Sequence, residues 1–121
     1  MVNVIATASG EGSSTNVGIA VDGAANDAES IVLSNTISRG FGGSSNYGFQ
    51  ATSSSDFDVE VNRSTISGET HSVLNNSDYP IRIGASQLKG TVSALGSGSI
   101  NCVHSYNQAY QALDADCHLS P

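Results

Sequence analysis

Apolar residues recur along this chain in short alternating runs. In Val59-Glu60-Val61 and in Ile81-Arg82-Ile83, apolar residues flank one polar residue. This period of two is typical of a β-strand with one buried face. No repeat carries the i, i+3, i+4 apolar stripe of an amphipathic helix. The pattern therefore predicts an all-β chain of many short strands.

The alternating runs fall into three columns that recur in a fixed order. The first column is predicted to hold the pairs Val2 and Val4, Ile31 and Leu33, Val59 and Val61, Ile81 and Ile83, and Val103 and Ser105. The second is predicted to hold Thr7, Ile37, Ile66 and Leu88, and the third Ile19, Phe49, Val73 and Leu95. The second column is followed by Gly10, Gly40, Gly68 and Gly90, where glycine permits a tight corner. Three strands per repeat, each stacked on its counterpart, predict a right-handed parallel β-helix over residues 1–105, with about four and a half coils.

Two repeat units resemble those of a known group of proteins. "SNTISRG" and "NRSTISGET", followed by "NYGFQATSSS" or "SVLNNSD", are similar to repeats in bacterial and phage surface proteins with a pectate-lyase-like β-helix. The resemblance extends over residues 2–105 and implies a stacked solenoid. Because that fold is shared by pectin lyases, esterases, tailspikes and non-catalytic shafts, it does not select an activity.

The pattern changes after Ser105. Tyr106, Ala109, Tyr110 and Leu113 are spaced i, i+3, i+4 and i+7, which predicts an amphipathic helix of about two turns. The last coil of a solenoid exposes strand edges that need a cover. Residues 106–121 are therefore predicted to form a C-terminal helical cap and tail.

The two cysteines, Cys102 and Cys117, bracket the start of this predicted cap. A disulfide between them would tie the cap to the last coil and would favour an extracellular, cell-surface or virion-associated location. The alternatives are two free thiols, or a zinc site formed with His104 and His118. The spacing of those four residues is not a standard zinc pattern. We therefore favour the disulfide and predict no metal and no cofactor.

Three carboxylates are the candidates for a binding face. Asp56 and Asp78 are separated by one predicted repeat, so they should stack on neighbouring coils, with Asp58 on the same side. Such a face could bind calcium or a glycan. The alternative is ordinary turn chemistry, because Asp56 follows three serines and Asp78 follows "NNS". No catalytic residue is assigned, since nucleophile motifs are absent.

Charge narrows the choice of partners. The chain has 4 Lys and Arg against 11 Asp and Glu, a formal net charge of −7. This balance argues against nucleic acid and against an anionic membrane surface, which both need clustered cations. No apolar run approaches the roughly 18 residues of a membrane span. We predict neither a nucleic-acid nor a membrane partner.

These features favour a non-catalytic structural and assembly module, the capped C-terminal end of a longer β-helical surface or phage-type fibre protein. Its expected partner is a second copy of the chain, with a homotrimer favoured, or an upstream part of the same chain. The alternative is a glycan-binding or polysaccharide-active fragment, of the lyase or glycoside hydrolase type. That alternative would use the face formed by Asp56, Asp58 and Asp78.

Overall fold

The chain is all-β throughout the residues that the computed structural model describes, which are 3–22, 30–53, 55 and 57–119. These residues form thirteen short strands and no helix. The strands are β1 (Ile5–Ser9), β2 (Thr15–Val21), β3 (Ser30–Ser34), β4 (Ile37–Phe41), β5 (Ser45–Ala51), β6 (Asp58–Asn62), β7 (Thr65–Gly68), β8 (His71–Asn75), β9 (Ile81–Gly84), β10 (Gln87–Lys89), β11 (Val92–Ala94), β12 (Ile100–Val103) and β13 (Tyr106–Asn107).

The strands assemble into three parallel sheets. Sheet A has the order β3-β6-β9-β12, sheet B has β1-β4-β7-β10-β13, and sheet C has β2-β5-β8-β11. Every strand pairs in parallel with the strand three positions along the chain. The chain thus visits the three sheets in turn, which is a parallel β solenoid-like fold consistent with a parallel β-helix. The prediction of an all-β chain with three strands per repeat is confirmed.

The first predicted column is correct in three coils and wrong in the last. Ile31 lies against Val59, and Val59 against Ile81. The next position in sheet A belongs to Ile100, with Cys102 after it, and not to Val103 and Ser105. The register steps along this sheet are 28, 22 and 19 residues. A constant final step of 22 residues therefore placed the last pair three residues too late.

The first coil and the other columns also need corrections. Ile5 pairs with Ile37, so Val4 stands at the level of Thr36 and not of Leu33; Val2 lies outside the described residues. Thr7 pairs with Arg39 on the outer face of sheet B. The remaining pairings, Ile66 with Leu88, Ile19 with Phe49 and Phe49 with Val73, agree with the prediction.

Two residues were assigned to the wrong face or strand. Ile37 pairs with Thr65 on the outer face of sheet B, and buried Ser38 points inward opposite Ile66. The side-chain period of a strand is two, so a shift of one residue exchanges the two faces. In sheet C, Val92 and not Leu95 stacks on Val73.

The core is a narrow apolar column enclosed by the three sheets. Its most deeply buried side chains are Leu33, Phe49, Val59, Val61, Ile66, Val73, Ile81, Ile83 and Leu88. Most of them come from the middle coils, because a neighbouring coil on each side shields their side chains from water. Burial of each such side chain stabilises the fold by about 1.5–3 kcal/mol.

A row of buried hydroxyls runs beside the core at the corner between sheets A and B. This corner ladder consists of Thr36, Ser64, Ser86 and Ser105. The N–H of Thr36 donates to Ser64 Oγ at 3.0 Å, the N–H of Ser64 to Ser86 Oγ at 3.0 Å, and the N–H of Ser86 to Ser105 Oγ at 3.3 Å. Each hydroxyl in turn donates to the carbonyl oxygen two residues earlier. One hydroxyl per coil therefore satisfies backbone groups of two coils.

The residue before each rung of the ladder has a left-handed backbone. Asn35, Arg63, Ala85 and His104 have φ values of 51°, 47°, 47° and 53°. Asn adopts this region readily, whereas Arg, Ala and His do so at a cost of about 1–3 kcal/mol. The corner keeps this conformation in every coil because the following hydroxyl closes the turn.

The C-terminal helix predicted from Tyr106, Ala109, Tyr110 and Leu113 is wrong. Tyr106 donates its N–H to Ser86 O at 3.0 Å and so joins sheet B. The Asn107 side chain accepts hydrogen bonds from the N–H groups of Ala109 and Gln111, which closes a turn in place of a helix.

Residues 108–119, called the closing segment here, fold back over the last coil instead. They form antiparallel bridges between Tyr106 and Ala112 and between Leu113 and Leu119. Leu113 packs partly against the core, and Tyr110 is largely exposed. The apolar spacing that suggested a helical face therefore belongs to residues with quite different environments.

The contribution of the corner ladder to stability can be tested by removing one hydroxyl. Ser86→Ala should lower the free energy of unfolding by about 1–3 kcal/mol, because the buried N–H of Ser64 loses its acceptor. Denaturant titration would measure the change. Ser99→Ala removes an exposed hydroxyl that bonds Asn101, and it should cost less than about 0.5 kcal/mol. Equal losses in the two variants would contradict a special role for the ladder.

Candidate functional site

Asp58, one of the three predicted binding carboxylates, lies on the outer face of sheet A. It opens β6, and its Oδ2 atom is 3.5 Å from Nη1 of Arg82 on the neighbouring strand. Arg82 lies directly opposite Glu60 in the register, and its ion pair is diagonal, to Asp58. Both partners are substantially exposed, so this pair contributes no more than about 1 kcal/mol.

Asp78 lies elsewhere, on the turn between β8 and β9. Fully buried Asn75 holds this turn, because its Nδ2 donates to Tyr79 O and its Oδ1 accepts from both the N–H and the hydroxyl of Ser77. Asp78 itself projects into solvent. The local sequence "NNSDY" thus acts as a turn built on one buried amide.

Ser97 binds the Asp78 carboxylate from the next coil. Its hydroxyl donates to Asp78 Oδ1 at 2.7 Å and its N–H donates to the same oxygen at 3.2 Å. These two bonds, the hydroxyl first, lower the pKa of Asp78 because they favour the charged form. Asp78 therefore joins two successive turns of the solenoid.

The predicted calcium or glycan face stays a prediction. Asp56 lies outside the described residues, and the structure pairs Asp58 with Arg82 and Asp78 with Ser97. Within residues 3–22, 30–53, 55 and 57–119, no three Asp, Glu, His or Cys side chains are grouped closely enough to hold a metal ion.

The outer face of sheet A carries a shallow groove that the sequence analysis did not identify. Its volume is about 340 Å³, and it is lined by Glu60, Asn62, Arg82, Ile83, Gly84, Asn101 and Val103. Gly84 creates the depression, since a Cβ atom there would lie 2.8 Å from Asn62 Oδ1. The groove offers an acid, a guanidinium and two amides above a partly apolar floor. These groups suit binding of a polar ligand such as a sugar.

The last coil is held by the predicted disulfide. Cys102 on β12 and Cys117 in the closing segment are bonded to each other. Both sulfurs are therefore engaged, which removes the zinc alternative with His104 and His118. His104 lies exposed at a corner and His118 lies exposed in the closing segment. The Cys102 N–H also donates to Ala115 O at 2.9 Å, so the bridge is reinforced by the backbone.

No protein-family model, curated protein or solved structure matches the chain. Among the described residues, no helix is long and apolar enough to cross a membrane. The described residues form a stack of three sheets with exposed polar and apolar faces.

The disulfide should carry a measurable share of the stability. Replacing both Cys102 and Cys117 by Ser removes a link between residues 15 positions apart, and the loop-entropy model expects a loss of about 3 kcal/mol. Denaturant titration of the oxidised parent, the reduced parent and the variant would measure it. The reduced parent should match the variant, and three indistinguishable curves would contradict the expectation.

Asp78 should titrate below the usual Asp range because of Ser97. A carboxyl with a lowered folded-state pKa stabilises the fold above its unfolded pKa, and the stabilisation is lost as pH falls through the folded value. Ser97→Ala should therefore raise the pKa of Asp78, as followed by NMR of its carboxyl carbon. Ser99→Ala serves as the matched control and should leave this pKa unchanged. An unchanged pKa in Ser97→Ala would show that the hydroxyl is not the main cause.

Proposed function

We propose that this chain is a non-catalytic structural and assembly module, a right-handed parallel β-helix of the pectate-lyase-like type. In this proposal it is the capped C-terminal end of a longer β-helical surface or phage-type fibre protein. It associates with further copies of itself, and a homotrimer is favoured. The proposed setting is extracellular, cell-surface or virion-associated, and the disulfide is compatible with it.

The observation that carries the proposal is the difference between the two ends of the stack. At the last coil, the closing segment and its disulfide cover the edges of β12 and β13. At the first coils, β1 and β2 each pair with one strand only among the described residues. A strand edge left unpaired is a surface for adding another strand.

Exposed apolar side chains support self-association. Ile5 is 72% exposed and Phe41 45% exposed on the outer face of sheet B, and Val32 is 41% exposed on sheet A. All three belong to the first two coils. Scattered apolar residues need no partner, but here they lie in the first coils, at the end of the stack where β1 and β2 have one strand partner each among the described residues. Lateral packing of copies would remove them from water.

Solution mass tests the proposal. Light scattering of the non-reduced protein on a sizing column should give three times the chain mass of 12.3 kDa, with no change when calcium is added. The double variant Ile5→Lys with Phe41→Lys should reduce the mass to one chain, because it places charges in the contact.

The control for this experiment is Val103→Lys, which alters an exposed valine in the last coil and should leave the assembly intact. A parent protein that stays at 12.3 kDa at every concentration would overturn the trimer. If the double variant still assembles, Ile5 and Phe41 do not form the contact, and the proposed interface is wrong.

Glycan binding is the second candidate, favoured by the groove at Gly84 on sheet A. Neutral oligosaccharides should shift the NMR signals of Asn62 and Asn101, and the double variant Asn62→Ala with Arg82→Ala should abolish the shift of Asn101. Asp56→Ala with Asp78→Ala tests the originally predicted face, and retained binding there would exclude it. Release of shorter sugars would indicate the polysaccharide-active alternative.

A further inference from the structure

The last coil is closed on two sheets and open on the third. The Cys102 N–H of sheet A donates to Ala115 O, and the Asn107 N–H of sheet B donates to Gln111 O. Among the residues that the structure describes, sheet C ends at β11, which pairs with β8 alone. The chain turns into the closing segment where a fifth strand of sheet C would otherwise stand.

The open edge presents backbone donors and acceptors in a regular pattern. Thr91 O accepts from Ser72 N on the β8 side, and Leu95 N donates to Asn75 O on the same side. Backbone groups of alternate residues in a strand point to opposite edges. The N–H and C=O groups of Val92 and Ala94 therefore face away from β8. None of the described residues forms a backbone hydrogen bond with them on that side.

A groove of about 840 Å³ lies between this edge and the closing segment. Its apolar lining includes Leu88, Val92, Leu113 and Leu119. Its volume lies in the range of roughly 300–1,000 Å³ that is typical of ligand pockets. The groove is thus large enough for a few residues of extended chain, and its lining suits an apolar side chain next to Val92.

Charge in and around the groove is uneven. His118 is the one ionisable residue among those that line it. The closing segment beside it carries Asp114 and Asp116, and Asp114 Oδ1 accepts from the N–H groups of Asp116 and His118. The whole chain has a formal net charge of −7. A partner segment should therefore be uncharged where it enters the groove and basic at its ends.

We propose that β11 binds an extended peptide segment of another protein, which adds as a fifth strand of sheet C. Hydrogen bonds to Val92 and Ala94 provide the backbone pairing, and an apolar residue of the peptide fills the groove. Lys or Arg residues at its ends face the carboxylates of the closing segment. Strand addition to an exposed sheet edge is an established mode of peptide recognition.

A second copy of this chain fits the groove less well. Its open edge strand in sheet C is β2, with the sequence TNVGIAV, which has no basic residue to meet Asp114 and Asp116. In its own coil β2 is preceded by β1 of sheet B, on the side where the closing segment stands. The inference is also independent of the proposed trimer, since a monomer presents the same edge.

The experiment uses the full oxidised chain and a blocked synthetic peptide, acetyl-Lys-Thr-Val-Thr-Val-Lys-amide. NMR-detected hydrogen exchange should show new protection at the N–H groups of Val92 and Ala94 when the peptide is added. Ala94→Pro removes the N–H that faces the open edge and leaves the β8 ladder intact, since Pro is tolerated on an edge strand. It should weaken binding about fivefold to tenfold. Ala94→Thr keeps the N–H and should bind as the parent does.

Several outcomes would overturn the inference. Parent and Ala94→Pro could bind the peptide equally. Two peptides N-methylated at every second residue, one along each edge of the peptide, could both bind as well as the unmethylated peptide. A peptide with Asp in place of both Lys residues could bind equally well. Protection of Val92 and Ala94 that rises with protein concentration without peptide would make a second copy the occupant. Absence of added protection at millimolar peptide would also contradict the inference.

Discussion

The stack depends on the repeated closure of the corner between sheets A and B. There, one buried hydroxyl per coil accepts the backbone N–H of the coil before it and donates to a carbonyl oxygen in its own coil. A buried backbone group without a partner costs about 1–3 kcal/mol. Each coil is therefore stable only when the neighbouring coil supplies the hydroxyl that accepts its N–H. The left-handed residues Arg63 and Ala85 keep that conformation because the corner requires it.

Given these corners, the remaining geometry follows from stacking. Ile or Val at alternate positions of sheet A fills the interior, and the outer positions are free to carry charge or amides, as at Glu60 and Arg82. At the corner between sheets B and C, the Glu69 carboxylate accepts hydrogen bonds from Asn46 Nδ2 and from the N–H of Gly42. These bonds connect two neighbouring coils. A chain with few charged residues can therefore form a stable stack, because amides and hydroxyls connect its coils.

The two proposals use different parts of this stack. Lateral association uses apolar side chains on the outer faces of the first coils, where burial is the driving force. Peptide addition uses backbone groups of β11, which are open because the closing segment turns away after Asn107. The disulfide contributes to the second role by holding the groove wall in place. Neither role needs a shifted catalytic pKa or a metal.

The sequence by itself determined the all-β class and the three strands per repeat, because each depends on a local period. It favoured the disulfide because the chain has only two cysteines, and the structure established the bond. The sequence also located Ile31, Val59 and Ile81 in one column, since equal alternation marks equal environment. Tertiary structure decided the rest. The last coil is shorter than the others, which moves the first column to Ile100. The length of a turn depends on how the backbone packs, and the hydrophobic period of the sequence does not contain that information. Tyr106 joins sheet B because Ser86 O accepts a hydrogen bond from its N–H. The helical spacing of apolar residues gave no sign of this bond between distant residues. The groove beside β11 exists because distant residues meet there, and their meeting is visible only in the folded chain.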